Sequence, residues 1–440
     1  MKNIDKWGGF GIMSWNNQVG DVEKMGEIEE LLRNNHQEHI LKMMELCNQE
    51  QKQNLLNQVK NIDFNQISNL YSISQNLNSG ASSLAQEQAI EPIKYVDKYN
   101  VDKEYAKKLI ATGEEVIKKG RYAVVTMAGG QGTRLGHDGP KGTYLLNIEP
   151  KPKYLFEIFA DKLTEVNKKY GITLNWYIMT SSENNKQTSS FFESHDYFGY
   201  PKEKVKFFIQ DNLPVLSEDG KLLIDKDFNV KFAASGHGNI YKAMRDSGVL
   251  KDMKEKGIEW IFIGGVDNVL LNMVDPMLLG LTISEGNQVG SKTIVKANAH
   301  EKVGAFCKKN KSPFVIEYTE LSDDMAEMTN DKQELVYGES HIMCNLYSLQ
   351  ALEKIASQPL PYHSAHKKAD FLDSNGNVVK AESPNAYKYE AFLFDGFGLF
   401  DDISILRGRR EEDFAPIKNK EGVDSPETAI KLYNHYYSKK

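Results

Sequence analysis

Nowhere along its 440 residues does the chain carry an apolar run near the roughly 18 residues that a membrane-spanning helix needs, so contact with a membrane is not expected. Cysteine is scarce. Cys47, Cys307 and Cys344 lie far apart with no metal-ligand spacing, which excludes a disulfide framework and a zinc site and predicts a reducing compartment. A surplus of positive charge is also missing. Lys and Arg number 54 against 61 Asp and Glu, a net charge of −7, which is the wrong sign for a general nucleic-acid binder that works by phosphate neutralisation. An anionic ligand must therefore be met locally, by cations set into loops. The opening MKNIDKWGGFGIMSWNNQ has no continuous apolar core and no small-residue cleavage site, so no secretory leader is expected and the cytoplasm is the expected location. There is no internal repeat.

What is present suits a globular chain of two or three domains: 40% hydrophobic and 10% aromatic residues can fill a large core. In the Asn/Gln-rich first hundred residues, Met25, Ile28, Leu31, Leu32, Ile40, Leu41, Met44, Leu55, Leu56 and Val59 recur at spacings that predict amphipathic helices. A polar stretch over 74–96, punctuated by Pro92, reads as a connecting loop, with a domain boundary near 95–115. From about 120 onward short apolar runs alternate with helical patterns. Strands are predicted over 122–128, 174–180, 204–210, 258–266, 292–297, 314–320 and 341–347. A helix is predicted over KYLFEIFADKLTEVNKKY, stopped by Gly171. The alternation predicts an α/β fold, a Rossmann-like doubly wound sheet that is mixed but mostly parallel, with an N-terminal helical region. In such sheets ligands bind at the carboxyl ends of strands.

One such end stands out. The run AVVTMA delivers the chain straight into GGQG (Gly129 to Gly132), followed by Arg134 and by Lys141 inside GPKG. Glycines allow backbone N–H groups to converge closely on an anion, and the two cations add a planar donor fork and a point charge. That is phosphate geometry, with a glycine-rich turn that merely carries charge as the alternative. A dinucleotide fingerprint fits poorly, because three residues separate Gly132 from Gly136 where two are required, and no Gly-Lys-Ser/Thr follows as a P-loop demands.

The joint pattern Ala-Gly-Gly-x-Gly-Thr-Arg-Leu-Gly, three residues, Pro-Lys-Gly resembles the uridylyltransferase (UDP-sugar pyrophosphorylase) family, and within it the N-acetylglucosamine enzymes. GHGNIYKAM (236–244), GGVDNVLLNMVDP (264–276), KVGAF with FVIEYTEL (302–321), LPYHSAHKKADFLD (360–373), KYEAFLFDGF (388–397) and EEDFAPIKNKEGVDSPETA (411–429) resemble further family blocks in the same order. The resemblance implies a nucleotide-diphospho-sugar transferase fold, with a helical region over 1–112, a central domain over 113–385 and a short segment over 386–440 that completes the active site. It implies that UTP and a sugar 1-phosphate, N-acetylglucosamine 1-phosphate first, give a UDP-sugar and pyrophosphate. UDP-glucose or broad-specificity synthesis is the alternative in the same class. A nucleotide-sugar binding protein without catalysis is the alternative in another, against which the retention of Arg134, Lys141, Asp267 and Lys418 speaks.

Two polyanions must meet in that reaction, so catalysis should reside in cations and positioning. Arg134 and Lys141 are assigned to the triphosphate. By resemblance Lys388 joins them at the nucleotide, and Lys418 meets the sugar phosphate. Met127, Ala128, Gly129 and Gly130 with Gln210 are assigned to the uracil end of UTP, Gln210 preceding the family's Leu-Pro pair as Leu213-Pro214 stand here. Gly236 is placed at the nucleotide by its block. Asp267, which follows the apolar run WIFIGGV, is the expected Mg²⁺ ligand, since Mg²⁺ takes one or two carboxylates with substrate oxygens and water. Asp395 is a weaker second candidate. Glu317 and Tyr318 match the Glu-Tyr pair near the sugar. His237 stands where the acetylhexosamine enzymes have Asn, and in SHIMCN (340–345) His341 and Cys344 replace two expected asparagines, with Asn345 as a stand-in.

Overall fold

The structure, a computed structural model, describes residues 26–78 and 89–439. The chain divides into two compact units that interleave in sequence: residues up to 82 with 213–233 and 362–389, and residues 83–212 with 234–361 and 390–440.

In the first unit the amphipathic pattern forms helices over 26–34, α1 (His39–Leu46), α2 (Gln49–Lys60) and α3 (Phe64–Asn78). Ile28, Leu32, Ile40, Met44, Leu55 and Val59 are buried, Leu31, Leu41 and Leu56 pack at the margin, and Met25 lies outside the described residues. Their partners come from far along the chain, with Leu216, Leu222, Val230, Tyr387 and Tyr389 completing the core. Two glutamines hold the 213–233 segment by its backbone. Gln37 donates to Gly220 O at 3.2 Å and accepts from Leu222 N at 2.9 Å, and Gln58 Oε1 accepts from Val230 N at 2.7 Å. A primary amide carries both a donor and an acceptor, as an unpaired strand edge requires. The loop expected over 74–96 is interrupted at both ends. Buried Ile67, Leu70 and Ser74 keep an inward helical spacing that carries α3 to Asn78, and strands occupy Ile90–Pro92 and Val96–Asp97. Residues 79–88 and residues 1–25, where no secretory leader is expected, lie outside the described residues.

The second unit is built on one sheet of eleven strands. These are β1 (Ile90–Pro92), β2 (Val96–Asp97), β3 (Tyr122–Met127), β4 (Asn175–Ser181), β5 (Val205–Gln210), β6 (Trp260–Gly265), β7 (Val289–Val295), β8 (Ala305–Lys309), β9 (Ser312–Ile316), β10 (Glu339–Ser348) and β11 (Ser404–Arg407). Across the sheet they run β2–β11–β7–β10–β6–β3–β4–β5, and β8 branches off to pair with β1, β9 and β10. Along that path β10 alone opposes its neighbours, while β6, β3, β4 and β5 are mutually parallel. The strand expected over 314–320 ends at Ile316, because Glu317 O accepts from Glu320 N and Leu321 N and turns the chain. The strand expected from 292 starts earlier, at Val289.

Both faces of the sheet are covered, so β3 is buried along its whole length. On one face Tyr122, Val124, Trp176 and Phe262 meet α4 (Lys103–Lys118), α5 (Leu155–Tyr170) and the helix Pro276–Ser284. The other face packs Val125, Tyr177, Met179 and Ile263 under Tyr241, Met244, Leu352 and Phe397. Helix α5 is the predicted one, ended by Gly171 at φ 67°. No described helix is long and apolar enough to cross a membrane.

The contact between α4 and Pro276–Ser284 is backbone on backbone. A Cβ at Gly113 would lie 2.0 Å from Pro276 O, and one at Gly280 would lie 1.8 Å from Leu109 O. Gly113→Ala must therefore separate the helices, and a loss of about 1–3 kcal/mol is expected, read as a lower urea midpoint at unchanged slope.

Candidate active site

The carboxyl ends of β6, β3, β4 and β5 fall on one edge because those strands are parallel and in register: Gly265 pairs with Met127, Met127 with Met179, and Ser181 with Gln210. Asp267, the 127–130 strand end and Gln210 thereby come to the same edge. They were dispersed over 141 residues of sequence.

At that edge the backbone is polarised. Met127 O accepts from Val266 N at 3.1 Å, Ala128 O from Asn184 Nδ2 at 3.0 Å, and Gly130 O from Lys141 N at 3.0 Å. Among the described residues nothing accepts from the N–H groups of Gly129, Gly130 and Gln131. Three successive donors are free while the flanking carbonyls are occupied, which favours a ligand rich in acceptors, such as phosphate oxygens or a base carbonyl. A Cβ at Gly129 would lie 2.7 Å from Gln210 Nε2, so a side chain there would displace the Gln210 amide from its place beside the strand end. The Gln210 amide, in a buried residue, finds no hydrogen-bond partner among the described residues. Beside it Ser181 Oγ is buried and unpaired.

The loop that follows is closed on itself by Gly132 N to Gly139 O at 2.8 Å, and it returns Lys141 to the strand end. Lys141 Nζ donates to Ile417 O at 3.4 Å, and Ile417 N donates to Asp267 O at 2.9 Å. Lys418, next along the chain, is half-buried with Nζ 3.4 Å from Asp424 Oδ2. Lys141, Lys418 and Asp267 are therefore neighbours through one peptide segment. Arg134 lies on a single 3₁₀ turn (Thr133–Leu135), exposed and without a partner among the described residues.

A second group gathers around Phe394. Gly236, at φ 83°, and Gly238 let the backbone approach 391–392, where a Cβ would meet Ala391 O at 2.4 Å and Phe392 C at 2.6 Å respectively. His237 Nδ1 accepts from Leu393 N at 2.9 Å, so the ring carries its proton on Nε2. Its ring lies 5.5 Å from that of Phe392 and 5.9 Å from that of Phe394, and His341 lies 5.5 Å from Phe394 on an edge. Asn345 is fully buried, with Oδ1 accepting from Ser291 Oγ at 2.8 Å and from His341 at 3.1 Å, while its Nδ2 has no partner. A bulge in β10, with Met343 at φ 56°, shifts the register between β7 and β10 so that Asn345 pairs with Ser291 while His341 pairs with Thr293. Glu317 Oε1 lies 3.3 Å from where a Cβ on Gly304 would stand, and Gly304 O accepts from His341 N. Tyr318 is exposed. Lys388 is half-buried on a strand of the first unit (Ala386–Glu390). Asp395 Oδ2 accepts from Phe392 N and caps the 3₁₀ helix Leu393–Leu399.

Asp267 fits the role of a metal ligand. The Asp267 carboxylate is half-buried and has no partner among the described residues, and no three His, Cys, Asp or Glu residues cluster there. A lone free carboxylate suits a hard cation that takes its remaining ligands from phosphate and water, and does not suit a structural metal.

Residues 64–424 match the family described as UTP–glucose-1-phosphate uridylyltransferase. The chain belongs to that family. Among curated uridylyltransferase relatives, UDP-N-acetylglucosamine diphosphorylase 2 of Arabidopsis thaliana is 35% identical over 422 residues, 91% of this chain and 81% of the relative. UDP-N-acetylglucosamine pyrophosphorylase of Saccharomyces cerevisiae is 37% identical over 333 residues, 73% of this chain and 70% of the relative. The crystal structure of the UDP-N-acetylglucosamine pyrophosphorylase of Trypanosoma brucei superposes with a TM-score of 0.77 at 29% identity, covering 93% of this chain and 84% of that one. The chain is accordingly a nucleotidyltransferase-fold enzyme of the pyrophosphorylase kind.

Several groups escaped the sequence reading. Asn184 and Asn268 anchor strand ends through side-chain amides, and Lys292 is a wholly buried cation between Asp275 and Asp413. A lysine heading the strand-like KTIVKA was the available signal, since an unpaired charge cannot stay there.

Two outcomes follow. Because Asp267 has no protein partner, Asp267→Asn should leave the melting temperature within a few degrees of wild type. It should also abolish the tight class of Mn²⁺ sites in a paramagnetic-resonance titration with UTP. His341 is pushed down to about 4 by burial, against the opposing Asn345 hydrogen bond. Its folded pKa lies below the unfolded 6.5, so the unfolded chain takes up the proton first and stability should fall as pH drops from 6.5 to 4, by on the order of 3 kcal/mol at the lower end. His341→Asn should remove that part of the acid sensitivity in urea titrations at pH 7 and pH 4.5.

Proposed function

We propose that the chain transfers the uridylyl group of UTP to N-acetylglucosamine 1-phosphate, giving UDP-N-acetylglucosamine and pyrophosphate. The observation that carries this reading is the row of free N–H donors at 129–131 beside the unpaired Asp267 carboxylate, with Lys141 and Lys418 tied to the same peptide segment. A phosphate oxygen of the sugar 1-phosphate attacks the α-phosphorus in line. The bond from that phosphorus to the oxygen bridging the β-phosphate breaks, and pyrophosphate leaves. The attacking monoester carries about −1.5 to −2 charge at neutral pH, so no strong base is required.

The protein's part is positional and electrostatic. The 129–131 donors hold UTP, and the unengaged Gln210 amide offers an acceptor and a donor to the uracil edge. Arg134 and Lys141 balance the triphosphate, and Lys418 takes the sugar phosphate. The reaction uses a divalent cation, here proposed as Mg²⁺ on Asp267, which when bound supplies positive charge to the phosphate oxygens. Glu317, Tyr318, Asn345 and His237 are proposed for the sugar, and the relatives named for N-acetylglucosamine support that choice. The assignments of Gly236 and Lys388 to UTP rest on their motifs alone. A cytoplasmic location goes with this reading, supported by three scattered cysteines.

The test is pyrophosphate release from UTP over a panel of sugar 1-phosphates. N-acetylglucosamine 1-phosphate should be used best, and turnover confined to glucose 1-phosphate would replace the acceptor in this proposal. Lys141→Ala and Lys418→Ala should each lower kcat on the order of 10²-fold, as removal of one donor to a developing charge does. Gln210→Ala should narrow the preference for UTP over CTP by about tenfold, the equivalent of one hydrogen bond.

A further inference from the structure

The lysine assigned to the sugar phosphate follows a segment whose Phe414, Ala415 and Ile417 are buried in the core, and a buried ion triad holds the start of that segment by a directional contact. Lys292 is completely buried on β7, with Nζ 2.5 Å from Asp275 Oδ2 and 2.8 Å from Asp413 Oδ1. Asp275 is itself fixed, since Oδ1 accepts from Met277 N at 2.9 Å and Leu278 N at 3.3 Å at the start of the helix Pro276–Ser284. From Asp413 the connections lead directly to the reacting edge. Asp413 O accepts from Asn268 Nδ2 at 2.7 Å, Asn268 Oδ1 accepts from Ala415 N at 2.8 Å, and Ile417 N reaches Asp267 O at 2.9 Å. Lys418 is the next residue.

The chemistry of the triad is informative. Burial works against the charged ammonium of Lys292, but Asp275 and Asp413 outweigh it and hold the pKa well above the ordinary value. Two carboxylates share the Lys292 ammonium, and Asp413 Oδ2 is buried with no partner. Gly408 makes room for that oxygen, since a Cβ there would stand 2.1 Å from it. Apolar side chains of similar volume would hold a segment down at lower electrostatic cost; what they lack is direction. We infer that Asp413, held by Lys292, is a positioning residue for uridylyl transfer: it sets the register of 413–418 against Asp267 and so places Lys418.

This inference rests on the uridylyltransferase reading, and its test separates the two. Asp413→Ala leaves the Lys292–Asp275 pair charge-balanced, so the variant can fold. Asp413→Asn keeps an acceptor for Lys292 and serves as the rescue. Asp413→Ala should lower kcat on the order of 10²-fold, as a shift of about 1 Å in a reacting group can, with the KM for UTP within about threefold of wild type, and Asp413→Asn should recover to within about tenfold. Independently of catalysis, hydrogen exchange should quicken at the Ala415 and Ile417 amides in the Ala variant, with β3 and β6 amides unchanged. Wild-type protection at 415–417, or wild-type kcat in folded Asp413→Ala, would overturn the inference. So would a loss confined to the KM for UTP, or an Asn variant as impaired as Ala. Failure of the wild-type enzyme to release pyrophosphate with any sugar 1-phosphate would overturn the reading beneath it, while the exchange result would still decide the tether.

Discussion

Everything at the site depends on the parallel register of four strands. With β6, β3, β4 and β5 running the same way, each contributes its carboxyl end to one edge, and residues separated by long crossovers become neighbours. Parallel strands need covering on both faces, and the helices on either side meet that need with two apolar cores. The edge is also where the ladder runs out of partners. At 129–131 the donors are left free, while side chains from Asn184 and the backbone of Lys141 and Val266 occupy the adjacent carbonyls. A chain with a net charge of −7 can in this way present free donors and cations locally, as the proposed binding of UTP requires.

Cations complete that surface from two directions. Lys141 returns on a loop closed by backbone bonds to Gly130 and Gly139, and Lys418 arrives on the C-terminal segment docked along Asp267–Val269. The first is a local arrangement and the second a long-range one, joined at Ile417 O. A buried Lys–Asp–Asp triad therefore bears on chemistry that it never touches. What such a triad adds over apolar packing is direction, because its geometry is narrow.

The first unit shows the same division between local pattern and distant partner. Its helices have an apolar face of ordinary periodicity, yet the core they close contains Leu216, Leu222, Val230 and Tyr389, from segments that begin beyond residue 210. Gln37 and Gln58 bind the visiting backbone with amide groups. In a region rich in Asn and Gln, these two are structural because of where they face.

Much of this was legible in the sequence. Periodicity carried the strands at 122, 174, 204 and 258 and the helix ended by Gly171, because those patterns reflect local burial on a fixed repeat. The glycine loop with Arg134 and Lys141 could be singled out as a candidate anion site from sequence, since free φ angles and nearby cations are local properties. The place of Asp267 just past a strand end was legible for the same reason, as a carboxylate directly after an apolar run. Other features belong to tertiary structure alone. That β10 runs against its neighbours, and that its bulge at Met343 puts Asn345 opposite Ser291 and His341 opposite Thr293, follows from pairing with β6 and β7, which no single strand encodes. The turn at Glu317 depends on Glu320 and Leu321 closing it where the pattern predicted continued strand. Lys292 looks like any lysine until Asp275 and Asp413 are seen around it, 17 and 121 residues away along the chain. Sequence determines what each segment can bury and which backbone angles it can adopt; which charges meet in the interior is decided only when the segments pack, because a buried ion is tolerated solely in the company of its partners.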